Sequence, residues 1–459
     1  MVGPRTRGYA IHKLGFCSVV MLGINSIIGA GIFLTPGEVI GLAGPFAPMA
    51  YVLAGIFAGV VAIVFATAAR YVRTNGASYA YTTAAFGRRI GIYVGVTHAI
   101  TASIAWGVLA SFFVSTLLRV AFPDKLLAIN LFGNRAIKWA NGTSTVGKAF
   151  ALSAFIVGGL WIITTQHVNN YATAWSAYSA TPYSLLGVAE IGKGTFSSMA
   201  LATIVALYAF TGFESIANAA EEMDAPDRNL PRAIPIAIFS VGAIYLLTLT
   251  VAMLLGSNKI AASDDTVKLA AAIGNATFRT IIVVGALISM FGINVAASFG
   301  APRLWTALAD SGVLPTRLSR KNQYDVPMVS FAITASLALA FPLALRFDNL
   351  HLTGLAVIAR FVQFIIVPIA LIALARSQAV EHAAVRRNAF TDKVLPLVAI
   401  VVSVGLAVSY DYRCIFLVRG GPNYFSIALI VITFIVVPAM AYLHYYRIIR
   451  RVGDRPSTR

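Results

Sequence analysis

Acidic side chains are scarce in this chain. Among 459 residues, Asp and Glu number 17 against 35 Lys and Arg, and the four types together make up 11%. A soluble domain carries about 25% charged residues, so an ordinary water-facing surface is excluded. Cysteine is nearly absent: Cys17 and Cys414 are the two in the chain. They are too few for a disulfide framework, and the topology below puts them on opposite sides of a membrane. The six histidines are scattered. Missing too are an H-E-x-x-H pair, a G-x-S-x-G elbow and a Walker lysine loop. These absences argue against an enzyme, and no cofactor or metal is expected. The net charge of +18 does not point to nucleic acid, because no polar basic domain exists and the Lys and Arg sit in short loops.

Apolar residues fill the space instead, at 58% of the chain and a mean hydropathy of +0.80. Runs of about 18 or more apolar residues are long enough to cross a bilayer. The expected spans are 16–42, 46–69, 90–118, 148–166, 171–189, 198–222, 233–256, 278–307, 327–346, 350–375, 394–411 and 424–446, twelve in all. The expected class is therefore an all-α integral membrane protein whose residues 1–459 form one transmembrane domain in the lipid bilayer. The fifth span is the weakest, rich in Ser, Thr, Ala and Tyr and carrying Pro182. Small residues of that kind suit a helix packed among helices. The basic start, with Arg5, Arg7, His12 and Lys13, resembles a signal peptide, but the apolar segment after it is too long and lacks an A-x-A site. It reads as a retained first span.

With the N-terminus inside, the inner segments hold 22 of the 35 Lys and Arg, the outer segments 12, and Arg360 lies within a span. The positive-inside rule then places both termini in the cytoplasm of a multi-pass plasma-membrane protein. In the inner loop 70–89, Tyr79, Ala80 and Phe86 at helical spacing suggest a short amphipathic segment, with an ordinary linker as the alternative.

The stretch that organises the chain is Gly23-Ile-Asn-Ser-Ile-Ile-Gly-Ala-Gly-Ile-Phe33 in the first span. Gly29 and Gly31 flank one Ala at mid-membrane depth, and glycine is a poor helix residue. Broken backbone at that depth is tolerated only beside protein or a wet cavity. A helix end there offers free N–H groups and a positive dipole, which suit a carboxylate. The sixth span repeats the signal: Gly212 sits mid-span and Glu214 is a carboxylate at membrane depth, a functional candidate by default. Pro226 and Pro231 then close the segment. Two interrupted spans five apart point to an inverted-repeat transporter. Repeat one would cover about 14–190, repeat two about 196–376, and accessory helices about 393–447.

Gly29-Ala-Gly-Ile-Phe33 resembles the first-helix G-x-G-(I/V)-F motif of amino acid–polyamine–organocation permeases. Phe210-Thr-Gly-Phe-Glu214 resembles their sixth-helix motif, and Glu221-Glu-Met-Asp-Ala-Pro-Asp-Arg-Asn-Leu-Pro-Arg-Ala-Ile234 is similar to the run that follows it. Thr74-Asn-Gly-Ala-Ser-Tyr79 and Gly300-Ala-Pro-Arg303 match too. These stretches cover about the first 310 residues in the family's order. The resemblance implies a leucine-transporter-like 5+5 inverted repeat with discontinuous helices 1 and 6, working by alternating access. It implies that an amino acid's carboxylate meets the N–H groups near Ala30, Gly31 and Ile32. Its ammonium would meet carbonyls near Phe210, Thr211 and Gly212, with Phe210 as gate.

The apolar walls at Ile27, Ile28 and Phe213 favour a neutral amino acid; an acidic amino acid, a polyamine or another organic cation are the alternatives within the family, and a channel or membrane enzyme outside it. In much of the family the fifth helix carries a Lys about three residues before a Pro, whereas here that position is Ser179. This puts Lys-dependent proton coupling in doubt. Ser179 facing Ser289 is a candidate sodium site, helix packing being the bland alternative; the coupling ion, H+ or Na+, stays open. Arg360 lies mid-span and needs a partner, either Glu214 or a substrate's acidic side chain. Asn294 is a candidate contact for the substrate side chain, or an interhelical hydrogen bond. Glu38 either lines the outer vestibule or caps a helix, and His98, Tyr93 and Trp106 read as packing residues.

Overall fold

The computed structural model describes residues 15–72, 77–121, 134–180, 184–185, 189–190, 196–212, 226–263, 265, 267–323, 326–347, 349–377, 387–410, 412–418 and 421–453. These residues are helical apart from turns, loops and two very short strand pairs. Among them, eight stretches are long and apolar enough to cross a membrane, and three apolar helices are shorter.

The first span is in two pieces, α1 (Phe16–Ile27) and α2 (Gly31–Ala43). A single 3₁₀ turn, Gly44–Phe46, joins α2 to α3 (Ala47–Tyr71). The short helix α4 (Ala77–Phe86) lies in the loop where an amphipathic segment is expected and packs on α5 (Arg88–Ala121). Next come α6 (Asn134–Gln166), α7 (Thr173–Ala180), α8 (Phe196–Ala209) and α9 (Pro226–Ala261). The Asn275 side chain accepts from the Phe278 N–H at 3.0 Å and so caps α10 (Ala276–Asp310). The second half continues with α11 (Met328–Ala344), α12 (Asn349–Ile358) and α13 (Phe361–Arg376). The last helices are α14 (Leu395–Ser409), α15 (Tyr424–Val431), which Asn423 caps, and α16 (Val437–Gly453).

By their contacts the helices fall into two groups. α1, α2, α3, α8 and α9 form one, and α5, α6, α10 and α11 the other. α12 touches both α8 and α5, and so lies between them. The basic end of α5 is anchored by Arg88, which donates to the Ser311 carbonyl at 3.0 Å and the Tyr445 hydroxyl at 3.2 Å.

The span expected over 350–375 is present as His351–Arg376, with a turn at Ala359 and Arg360, where the Arg360 N–H turns back to the Val357 carbonyl at 3.0 Å. Over 171–189 the described residues form the eight-residue α7 and an antiparallel pairing of Ser184 with Glu190. Eight helical residues cover about 12 Å, against about 30 Å of hydrocarbon. The expected alternation also sets residues 167–171 at the opposite end of the bundle from Pro45. Instead, the Tyr171 hydroxyl donates to the Pro45 carbonyl at 2.7 Å, and the Asn170 amide donates to the Leu255 carbonyl at 2.9 Å. The Ser, Thr and Tyr content that makes this stretch weak as a span lets it hydrogen-bond along one end of the bundle.

Candidate functional site

The first break spans Ile28 to Ala30. The Ile28 N–H still bonds to the Ile24 carbonyl at 2.9 Å, closing α1, and the Phe33 N–H bonds to the Ala30 carbonyl at 3.0 Å, opening α2. The N–H groups of Gly31 and Ile32 fall in the first turn of α2, where a helix has no partner to offer. Ile27, Ile28, Ala30 and Ile32 are all buried. Of the two flagged glycines, Gly31 is the one that space demands. A Cβ there would stand 2.5 Å from the Ala209 Cα, whereas one at Gly29 would meet nothing closer than Ile293 at 3.6 Å.

The second break begins where α8 stops at Ala209. The Phe210 N–H bonds to the Leu207 carbonyl at 3.0 Å and the Thr211 N–H to the Tyr208 carbonyl at 3.2 Å. The Thr211 hydroxyl donates to that same Tyr208 carbonyl at 2.7 Å. Gly212 follows with φ +115°, a conformation that favours glycine. A Cβ at Gly212 would lie 2.2 Å from the Ser26 carbonyl oxygen. The breaks are therefore apposed: the start of α2 rests on the end of α8, and the turn after α8 rests on the end of α1. Phe213 and Glu214 lie outside the described residues, and with them the expected pairing of Glu214 and Arg360.

Two residues absent from the sequence-based site join the breaks. The Tyr245 hydroxyl, on α9, reaches the Ile27 carbonyl at 3.2 Å and the Ala209 carbonyl at 3.0 Å. It thus contacts the last carbonyl of each half-helix. Tyr51, on α3, shares a 2.6 Å hydrogen bond with Thr35 of α2. The rings of Tyr51, Tyr245 and Phe210 pack together, with Phe210 and Tyr245 centroids 5.2 Å apart and Phe210 1% exposed. The sequence signal for both tyrosines is a phenol inside a run of aliphatic residues, which needs a hydrogen-bond partner when buried.

Elsewhere, the Asn294 amide nitrogen donates to the carbonyls of Leu109 at 3.0 Å and Met290 at 2.8 Å. This is the interhelical bond weighed for it. Ser289 is buried on α10, while Ser179 lies on α7, which packs against α2 and α9. Arg360 stands in the turn between α12 and α13. Glu38 pairs with Lys268 at 3.5 Å, with both side chains under one-sixth exposed. Trp106 packs on Phe331 with centroids 5.7 Å apart, Tyr93 is partly exposed at 38%, and His98 is half-buried. Chemically, a helix N-terminus beside the end of a second half-helix sets donors and acceptors close together, which fits a small zwitterion.

Comparison with known proteins bears on what such a pair of breaks belongs to. A protein of Mycobacterium tuberculosis, named as an uncharacterized transporter, is 95% identical over 481 aligned positions that cover all of both chains. The alignment exceeds the 459 residues here by close to one membrane crossing, about 20 residues. A methylthioribose transporter of Bacillus subtilis is 23% identical, covering 87% of this chain and 88% of its own. A branched-chain amino acid permease of the same organism is 27% identical, covering 80% and 82%. The family model described as amino acid permease matches residues 14–440, a range that takes in both breaks, Tyr245 and Arg360. This chain is a membrane transporter that belongs to the amino acid permease family.

Proposed function

We propose that this protein is a secondary active transporter of amino acids, neutral ones favoured, working in the cytoplasmic membrane by alternating access. The observation that carries the reading is the apposition of two helix breaks bridged by Tyr245. The substrate carboxylate would take the first-turn N–H groups at Ala30, Gly31 and Ile32. The ammonium would take carbonyls at Phe210, Thr211 and Gly212, and Phe210 would close over it. Ile27 and Ile28 supply an apolar wall next to the site. The grouping of α1, α2, α3, α8 and α9 against α5, α6, α10 and α11 suits a bundle that rocks against a scaffold. The proposed frame is twelve spans in two inverted halves of five with two accessory helices, and both termini cytoplasmic; the short α7 stands where the fifth span of that frame is due.

Counterflow in proteoliposomes tests the reading. Saturable uptake of a radiolabelled neutral amino acid, accelerated by the same amino acid inside, is expected. Current that never saturates would replace the carrier by a channel. Uptake unchanged in sodium-free buffer removes Ser179 and Ser289 as a sodium site. Arg360→Ala is expected to cripple transport, and intact uptake would end both its structural and its substrate-binding role.

A further inference from the structure

Two buried polar atoms near the breaks have no hydrogen-bond partner among the described residues: the Tyr208 hydroxyl and Asn294 Oδ1. Buried polar groups are nearly always bonded, so each such atom calls for an explanation. The orientation of the Asn294 amide is forced. Both its neighbours, the Leu109 and Met290 carbonyls, are acceptors only, so the nitrogen must face them and the oxygen is left over. The two atoms flank the same turn of α5. Asn294 is tied to Leu109, and Tyr208 packs on Phe112 with ring centroids 6.5 Å apart. Tyr208 is 4% exposed and lies two residues before Phe210, on the helix whose end forms the second break. On the other side, Gly29 of the first break lies against Ile293, the neighbour of Asn294.

We infer that Asn294 Oδ1 and Tyr208 Oη form a subsite for an uncharged, hydrogen-bonding substrate side chain, a primary amide such as that of glutamine. The inference rests on the transport reading above and narrows it. An amide side chain gives its N–H to Asn294 Oδ1, an acceptor with nothing else to accept. Its carbonyl takes the Tyr208 O–H, a donor that otherwise stays dry. A carboxylate side chain supplies no donor for Asn294 Oδ1. An ammonium or guanidinium side chain carries donors only and leaves the Tyr208 O–H without an acceptor. A purely aliphatic side chain leaves both polar atoms unbonded and is discriminated against for that reason.

The test is uptake of L-glutamine, L-leucine and L-lysine, each radiolabelled, by proteoliposomes holding the full chain. Wild-type protein is expected to move glutamine faster than leucine at equal low concentration, with lysine neither transported nor competing. Asn294→Leu is expected to lower the glutamine-to-leucine ratio about tenfold, the effect of one lost hydrogen bond. Tyr208→Phe removes a single oxygen, preserves the ring packing on Phe112, and lowers the ratio in the same direction; it carries the test if Asn294→Leu does not fold. Leucine and glutamine moved at equal rates, lysine uptake, or a ratio untouched by Tyr208→Phe each overturn the subsite while leaving amino acid transport standing. Wild-type protein that moves no amino acid overturns the transport reading and this inference with it.

Discussion

At the breaks, four short pieces of backbone meet within contact distance: Gly31 lies against Ala209, Gly212 against Ser26, and Tyr245 reaches the carbonyls of Ile27 and Ala209. Around residues 167–190, the described residues form an eight-residue helix and a strand pairing where the sequence reads as a full span. Both regions depart from a continuous membrane helix, yet only the first announces itself. A glycine placed where two backbones must touch is visible as a glycine. A shortened span is visible only as weak hydropathy, which a packed helix of small residues shows equally well.

The largest expected effect tests whether the breaks are locked by contact. Gly31→Val puts two methyls into the Ala209 backbone and is expected to destabilise the protein by roughly 3 kcal/mol and abolish uptake. A thermal-unfolding midpoint in detergent equal to wild type would show that α2 and α8 do not touch there. Next comes Tyr245→Phe, which leaves two buried carbonyls without their donor at an expected loss of roughly 1–2 kcal/mol. Uptake should fall several-fold while the protein still purifies as a monodisperse peak; full activity would remove the bridge from the argument. Smaller again is the Glu38–Lys268 pair, which ties α2 to the loop before α10. A double-mutant cycle over Glu38→Gln and Lys268→Met is expected to give a coupling of about 1 kcal/mol, and a coupling near zero would mean the two side chains do not depend on each other.

The last prediction changes stability least and bears on the other region. In a cysteine-free background, Asn169→Cys and Phe46→Cys, both exposed, are expected to be labelled by an impermeant maleimide from the same side of the membrane. Labelling from opposite sides would restore the simple alternation of spans and overturn the placement of Tyr171 beside Pro45. The near-identical Mycobacterium tuberculosis relative, aligned over 481 positions, is the natural control, since it carries about one crossing's worth of additional chain.

Much of the candidate site is legible in the sequence because the residues proposed for it are chemically unusual for a membrane helix. Gly29, Gly31 and Gly212 interrupt apolar runs, and Arg360 is a charge in mid-span. Arg360 in fact marks a turn between α12 and α13, so the anomaly was seen but its backbone consequence was not. Tyr245 and Tyr51 were missed because a tyrosine in an apolar run is equally consistent with a lipid-interface anchor, and its partner lies on another helix. The sequence around Glu38 points only to a vestibule or cap role because Lys268, its partner, is more than two hundred positions away in the chain.

Composition and hydropathy alone settle that this chain lives in a membrane, since so few charges over so many apolar residues leave no other solvent for it. Local motif chemistry alone marks where the first and sixth apolar runs give way, because glycine at that depth weakens a helix wherever the helix is packed. Which breaks meet, which hydroxyl spans them, and at which end of the bundle residues 167–171 lie were decided by the folded arrangement. Those are contacts between residues far apart in the chain, set by how helices pack, and no window of sequence contains both partners.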